Sequence, residues 1–263
     1  MENKPKVVIL CGGKGTRLKE ETEFRPKPLV SVGDMPILWH IMKIYSHYGF
    51  NDFVLCLGYK GEMIKDYFLN YQTNMNDFTL NIKNMNKTLQ GHSKIPDWNI
   101  TFANTGLESN TGSRIKQIQK YIDGDTFFLT YGDGVANVDI DKLLSFHKSH
   151  GKIGTVTTVR PSTRFGNLTI DDDGMISDFT KKTKTHDGWI DGGFFVFNKK
   201  IFEYLSEDPL CMLENEPLKN LTKDRQFMSF KHNDFWQCMD TIRDQEFLNS
   251  LWTSGNAPWK IWK

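Results

Sequence analysis

A short apolar run, Lys6 to Cys11 (KVVILC), leads directly into Gly12-Gly13-Lys14-Gly15-Thr16-Arg17-Leu18. The run is β-branched and ends at glycine, which reads as a buried strand. Glycines after a strand let the backbone turn tightly and bring its N–H groups close to a ligand. The pattern recurs where Thr126 to Tyr131 (TFFLTY) meets Gly132-Asp133-Gly134. Two such junctions constrain the chain to a sheet whose ligand-facing loops share one edge.

The intervening segments fit that constraint. Pro36 to Tyr48, Lys60 to Tyr71, Gly112 to Tyr121 and Asp139 to His150 read as helices, with Gly49 and Gly151 after the first and last. Asp52 to Leu57 and Trp98 to Ala103 read as strands. Alternating strands and helices at this spacing predict βαβ units, hence an α/β fold: a Rossmann-like three-layer sandwich around a mainly parallel sheet. The second half differs. Phe165 to Phe179 alternates around Asp-Asp-Asp-Gly as a hairpin would, giving a small antiparallel extension. Gly193 to Asn198 and Gln226 to Lys231 read as strands, Lys199 to Leu205 begins a helix, and Thr241 to Trp252 is another. No repeat or Pro/Gly/Ser linker divides the chain, so residues 1–263 are expected to form a single domain. Tyr71 to Lys94 is Asn-rich with poor periodicity; it predicts a surface insertion, either an exposed loop or weak strands that make oligomer contacts.

Composition removes several classes of function. With 33 Lys and Arg against 32 Asp and Glu, the net charge of +1 gives no footprint for nucleic acid. No apolar run is long enough to span a membrane. The start of the chain lacks the apolar length and cleavage site of a signal peptide, so a cytoplasmic protein is expected. Cys11, Cys56, Cys211 and Cys238 form no Cys-x-x-Cys pair and are expected to be reduced structural thiols. His147 and His150 read as a surface pair, and His40 and His47 as ordinary helix residues.

The glycine loop is neither a Walker A loop nor a dinucleotide fingerprint, because Leu18 stands where the latter needs its third glycine. Arg17 can grip phosphate oxygens in a bidentate fork. The loop also reads as a strand-to-helix turn with incidental charges. In Arg25-Pro26-Lys27-Pro28 the prolines keep the backbone extended, so Lys27 projects from a stiff segment, though a solvated loop charge reads equally well. Asp133, between two glycines, has room beside it for a hydrated ion; otherwise it is a turn residue. Asp240 by itself reads as the N-cap of a helix starting near 241. Thr111 and Ser113 read as polar residues of a helix start, and Arg114 as a surface charge.

The string from Val7 through Arg17 and Lys27 to Gly49, with TYGDGV, IDGGFFV and FWQCMDTIRD, resembles the signature of the sugar-phosphate nucleotidyltransferases. The resemblance covers nearly the whole chain apart from parts of 72–97. Within the family it is nearest the branch that transfers CMP from CTP to glucose 1-phosphate. It implies an Mg²⁺-dependent enzyme that makes a CDP-sugar and pyrophosphate, with residues 6–150 as a nucleotide-binding half and 151–263 as an acceptor-binding half and tail. By resemblance, Arg17 and Lys27 are catalytic, contacting the departing pyrophosphate and the nucleotide phosphates. Gly12, Gly13, Gly15, Thr16, Thr105, Thr111, Arg114 and Gly132 would hold the nucleotide. Asp133 and Asp240 would hold the metal. Lys181, Lys182, Asp191 and Gly192 would face the acceptor, and a homo-oligomer is implied.

The acceptor side departs from the family pattern. Lys181 stands where a Glu is usual, Thr183 where a Pro is usual, and Asp191 where an Asn is usual. An Asp191–Lys181 pair, a different phosphate-bearing acceptor, and an alignment shifted by one residue each account for this. The same chemistry with UTP or dTTP, or a non-catalytic nucleotide-binding role, is also compatible with the residues. Trp252, Trp259 and Trp262 are expected to fold the tail onto the body or a neighbouring subunit, and Trp189 to lie near the acceptor.

Overall fold

Seven strands form the central sheet: β1 (Val7–Cys11), β2 (Asp52–Leu57), β3 (Asn99–Asn104), β4 (Thr126–Tyr131), β5 (Gly154–Val159), β6 (Ile190–Asn198) and β7 (Phe227–His232). Their order across the sheet is β7-β5-β6-β4-β1-β2-β3. β1 pairs in parallel with both β2 and β4, β2 with β3, and β5 with β7; only β6 runs against its neighbours. The structure is a computed structural model and describes residues 4–91, 95–160, 167–170, 175–180 and 188–262. The expected mainly parallel sheet is therefore present. Asn167–Ile170 pairs antiparallel with Ile176–Thr180, in line with the hairpin pattern.

Strand alternation assigns the two cores. Val7, Ile9, Phe53, Leu55, Phe128 and Phe194 point to one face, covered by α1 (Ile37–His47), α2 (Gly61–Leu69), α4 (Ile140–His150) and α6 (Ile242–Thr253). Val8, Leu10, Val54, Phe127, Leu129 and Phe195 point to the other, covered by α3 (Thr111–Gln117) and α5 (Glu216–Lys223). These phenylalanines are fully buried, each contributing about 2 kcal/mol or more of hydrophobic stabilisation. Both faces of the sheet are covered, which gives the three layers.

The chain steps outward from β1 to β2 and β3, then returns to place β4 on the other side of β1. The sheet order thus reverses between β1 and β4, and the loops after both strands open on one crevice. The two glycine clusters lie there side by side, as expected: Gly132 N donates to Leu10 O at 3.1 Å.

Several expectations change. β5 (GTVTTV) has no counterpart among the expected strands; its threonines dilute the apolar signal, yet Thr155 and Thr157 are fully buried. α5 is also additional, although Pro217 in its first turn is a helix-start signal. Lys199–Tyr204 is a 3-10 helix. The insertion contains a hairpin, Phe78–Asn81 with Asn86–Leu89. His147 and His150 are not a surface pair. Lys152 N donates to His150 Nδ1, which leaves His150 Nε2–H to donate to Thr155 Oγ1 at 2.8 Å. The Thr155 hydroxyl then donates to buried His147 Nδ1 at 2.9 Å, locking α4 to β5. His40 is likewise not an ordinary helix residue. Its Nε2 donates to Val32 O at 2.9 Å and its Nδ1 accepts from Trp259 Nε1 at 3.4 Å. Trp252, Trp259 and Trp262 pack around it, so the tail folds onto the body.

Candidate active site

The loop after β1 has its shape because a buried guanidinium lies beneath it. Arg114, on α3, is 4% exposed and donates to Leu57 O, Thr105 Oγ1, Gly106 O, Gly12 O and Leu107 O at 2.6–3.3 Å. Its pKa is lowered by burial, against the nearby thiols and Glu108. A Cβ on Gly12 would lie 2.3 Å from this guanidinium, and one on Gly58 2.6 Å from it. Arg114 is therefore not the surface charge that its helix position alone implied. Thr105 is also buried and donates to Leu57 O at 2.8 Å. Both residues shape the loop from below, and Arg114 also touches the floor of the cavity above it.

Gly15 adopts φ +64, and a Cβ there would meet Thr22 at 2.7 Å and Lys27 Cβ at 3.2 Å. The loop and the Pro26-Lys27-Pro28 segment are thus packed against each other. Lys27 Nζ reaches Asp133 Oδ2 and Asp240 Oδ1, both at 2.6 Å. Arg17 takes the other Asp240 oxygen at 2.6 Å. Burial would lower the pKa of Lys27, but the two carboxylates outweigh it and raise it. Burial would raise that of Asp240, but Lys27, Arg17 and Cys238 hold it below the usual carboxylate range.

Asp240 is not the N-cap of α6. Thr241 is the cap, in a capping box with Asp244, whose carboxylate also accepts from Asp240 N at 3.2 Å. Met239 N donates to Asp133 O at 2.8 Å, and Trp236–Cys238 pairs with Gly134–Ala136. This short ribbon places the two aspartates side by side despite their distance in sequence.

A cavity of about 290 Å³ opens above the loop. Gly12, Gly13, Gly15, Thr16, Arg17, Lys27, Thr111, Arg114, Gly132 and Asp133 line it, so all the expected nucleotide-side residues except Thr105 meet there with one of the two metal candidates. A smaller cavity of about 60 Å³ adjoins it, lined by Asp191, Gly192, Trp236 and Cys238. Tyr131 and Asp133 line both. Lys181 and Lys182 lie outside the described residues, as does the expected Asp191–Lys181 pair. Asp191 Oδ1 accepts from Gly193 N at 2.6 Å, and burial followed by the neighbouring Glu214 pushes its pKa up to about 6. Trp189 stacks beneath Arg160, 4.6 Å from its ring centre, with Lys231 at 5.5 Å.

Glu214 is a site residue that the sequence did not reveal. It accepts from Tyr131 OH at 2.5 Å and from Thr111 Oγ1 at 2.6 Å, tying the wall between the cavities to the start of α3. Nothing in Leu213-Glu214-Asn215 marks it. Tyr131 could have been noticed, because it immediately precedes Gly132-Asp133. Burial first, then Asp191 and Glu214, raise its phenol pKa well above normal.

Among the described residues, no cluster of three or more His, Cys, Asp or Glu side chains could enclose a metal. Asp133 on the cavity wall and Asp240 joined to it through Lys27 do suit Mg²⁺, which binds through one or two carboxylates together with waters and substrate oxygens. The donor set fits the ion that the resemblance implied.

The family model described as Nucleotidyl transferase matches residues 6–242. The chain is 48% identical to the "Probable glucose-1-phosphate cytidylyltransferase" of Bacillus subtilis over 98% of its own length and all of that protein. It is 46% identical to the glucose-1-phosphate cytidylyltransferase of Salmonella typhi over the same shares. Its fold matches the crystal structure of HddC from Yersinia pseudotuberculosis with a TM-score of 0.68 at 23% identity, covering 95% of this chain and all of that one.

Proposed function

The chain belongs to the nucleotidyl transferase family, and from that premise we propose that it transfers CMP from CTP to glucose 1-phosphate. A phosphate oxygen of the sugar phosphate attacks the α-phosphorus of CTP. The bond from that phosphorus to the β-phosphate oxygen breaks, and CDP-glucose and pyrophosphate leave. The observation that carries the proposal is the meeting of Arg17, Lys27, Asp133 and Asp240 beside a glycine loop in one crevice.

The nucleophile is a phosphate dianion with a second pKa of about 6, so no strong general base is required. The protein supplies position and charge. Loop N–H groups from Gly12 to Thr16 receive the triphosphate. Arg17 holds the departing pyrophosphate in its fork, and Lys27 neutralises charge developing on the phosphates. Asp133 and Asp240 are the carboxylates that would hold Mg²⁺, which would supply positive charge to the phosphate oxygens when bound. Gly132 lines the nucleotide cavity and lets β4 close on β1 and Pro28, since a Cβ there would lie 2.9 Å from Leu10 O and 3.0 Å from the Pro28 ring. The small cavity at Asp191 and Gly192 would receive the acceptor, with Lys182 as the candidate contact to its phosphate and Lys181 as a further acceptor-side residue. Tyr131, shared by both cavities, would separate nucleotide from acceptor.

A homo-oligomer is part of the proposal. The hairpin of the insertion exposes Phe78, Ile82 and Met85, and an isolated two-stranded hairpin is marginal in water. It would gain partners from a second copy. No helix among the described residues is long and apolar enough to cross a membrane. Together with four free cysteines, this supports a cytoplasmic location.

The test is pyrophosphate release from CTP, UTP and dTTP, each with glucose 1-phosphate, then from CTP with a panel of sugar phosphates. CTP with glucose 1-phosphate should be preferred by about tenfold or more in kcat/KM. Preference for another nucleotide or acceptor would replace this assignment, and no release with any pair would remove it.

A further inference from the structure

The carboxylate pair is occupied from within. Lys27 Nζ bridges Asp133 and Asp240 at 2.6 Å each, and Arg17 takes the remaining oxygen of Asp240. Both oxygens of Asp240 and one of Asp133 are thus engaged by side-chain cations. Two positive charges meet two negative ones, so the cluster is balanced without any ligand. The Lys27 side chain is 10% exposed, whereas that of Arg17 is 74% exposed. Lys27 is the enclosed member of the pair.

We propose that Lys27 is a resident counter-ion that keeps Asp133 and Asp240 closed to a divalent cation until a triphosphate draws its ammonium away. Metal and nucleotide then enter the site together. The inference rests on the assignment of this carboxylate pair to the metal.

Three features support it. A divalent ion arriving alone must break two charge-assisted contacts and leave a lysine within a few ångströms of a doubly charged neighbour. In a partly dry crevice that repulsion is large. A triphosphate reverses the balance, because its oxygens give the ammonium new partners as it leaves the aspartates. The geometry also limits where the side chain can go. Its root is fixed, because Pro26 and Pro28 stiffen the backbone and Lys27 Cβ packs against the Gly15 turn. Lys27 itself lines the cavity above the glycine loop, as does Asp133, one of the two carboxylates that its ammonium meets. The ammonium can therefore swing from the carboxylates to the loop without any movement of the main chain.

The test is direct binding of Mn²⁺ to the full chain, read by electron paramagnetic resonance of the free ion, without turnover. Without nucleotide, Lys27→Met should bind Mn²⁺ about tenfold or more tightly than the unaltered protein, because Asp133 loses its cation, Asp240 keeps only Arg17, and the pair is left one negative charge in excess. Lys27→Gln should follow it, which guards against a misfolded first variant. Lys14→Met removes a positive charge from the same loop, where it pairs with exposed Glu108, and should change binding by no more than about twofold. Adding a non-hydrolysable CTP analogue should tighten Mn²⁺ binding strongly in the unaltered protein and weakly in Lys27→Met. Equal Mn²⁺ affinity of the unaltered protein and both Lys27 variants without nucleotide would overturn the inference and leave the metal assignment standing. If Asp133→Asn and Asp240→Asn bound Mn²⁺ with the analogue as tightly as the unaltered protein, the metal assignment would fall, and the inference with it.

Discussion

At the residue scale, the site depends on side chains with very different visibility in the sequence. Lys27 is marked in the sequence only by its flanking prolines, which fit a solvated loop charge equally well, and its place between two carboxylates makes it the cation whose loss should matter most. Lys27→Met should lower kcat by roughly two to three orders of magnitude, with the protein still folded by circular dichroism. A kcat within a fewfold of normal would remove Lys27 from the chemistry. Arg114 did not announce itself: as a helix residue near a terminus it reads as surface charge. Its five acceptors, spread over three segments, need a planar fork, and an ammonium has the wrong shape to reach them all. Arg114→Lys should cost on the order of 3 kcal/mol and lower the melting temperature by roughly 6–12 °C. It should also raise KM for CTP, because the loop at Gly12 loses its support. An unchanged melting curve would show that the guanidinium does not hold the loop. The glycines at 12 and 58 are explained by the same side chain, a link that no local pattern contains.

At the element scale, α6 connects the two ends of the ion-pair cluster. Its N-terminal capping box fixes Asp240, while farther along Asn249 Oδ1 accepts from Gly33 N at 2.7 Å and Gln245 donates to Ser31 O at 3.3 Å. Trp252 packs on Gly33, where a Cβ would lie 2.1 Å from its ring. The turn after Lys27 and the carboxylate that Lys27 meets are therefore held by one helix. Asn249→Leu removes the acceptor for Gly33 N; it should lower kcat about tenfold with little change in KM for CTP. Asn249→Asp restores an acceptor and should recover most of the activity. Equal loss in both variants, or a loss confined to KM, would sink this account. The helix itself was legible from its spacing. Local pattern alone puts its cap one residue early, at Asp240 instead of Thr241, and that residue decides whether Asp240 caps a helix or faces the site. β5 escapes detection for a different reason: alternating threonine weakens a hydrophobic signal even where both faces of the strand are covered.

At the scale of the whole molecule, buried histidines make the fold sensitive to acid. Burial is the main cause of the shift of His40 and His147 down to about 4, from an ordinary value near 6.5. Between these values the unfolded chain takes up protons that the folded chain refuses. The stabilisation is thus complete above pH 6.5 and lost as pH falls toward 4, on the order of 3 kcal/mol for each histidine. Asp191, pushed up to about 6, acts in the opposite sense below that pH, but it meets solvent at the cavity mouth and offsets only a part. The urea midpoint should therefore fall between pH 7 and pH 4.5, and His147→Gln should flatten that slope. A midpoint that stays constant over this range would contradict the assignment of the histidines as buried and neutral. The sequence by itself determined the α/β class and the two strand–glycine junctions, which depend on contacts within a few residues, where periodicity, glycine and proline act directly. Its candidate site residues were named through the resemblance to a family, not by local pattern. Tertiary structure alone decided which residues meet. Lys27 reaches Asp133 across 106 positions and Asp240 across 213, and Tyr131 reaches Glu214 across 83. Such meetings in space follow from the order of strands in the sheet and from one helix bridging two loops, and no local pattern along the chain encodes them.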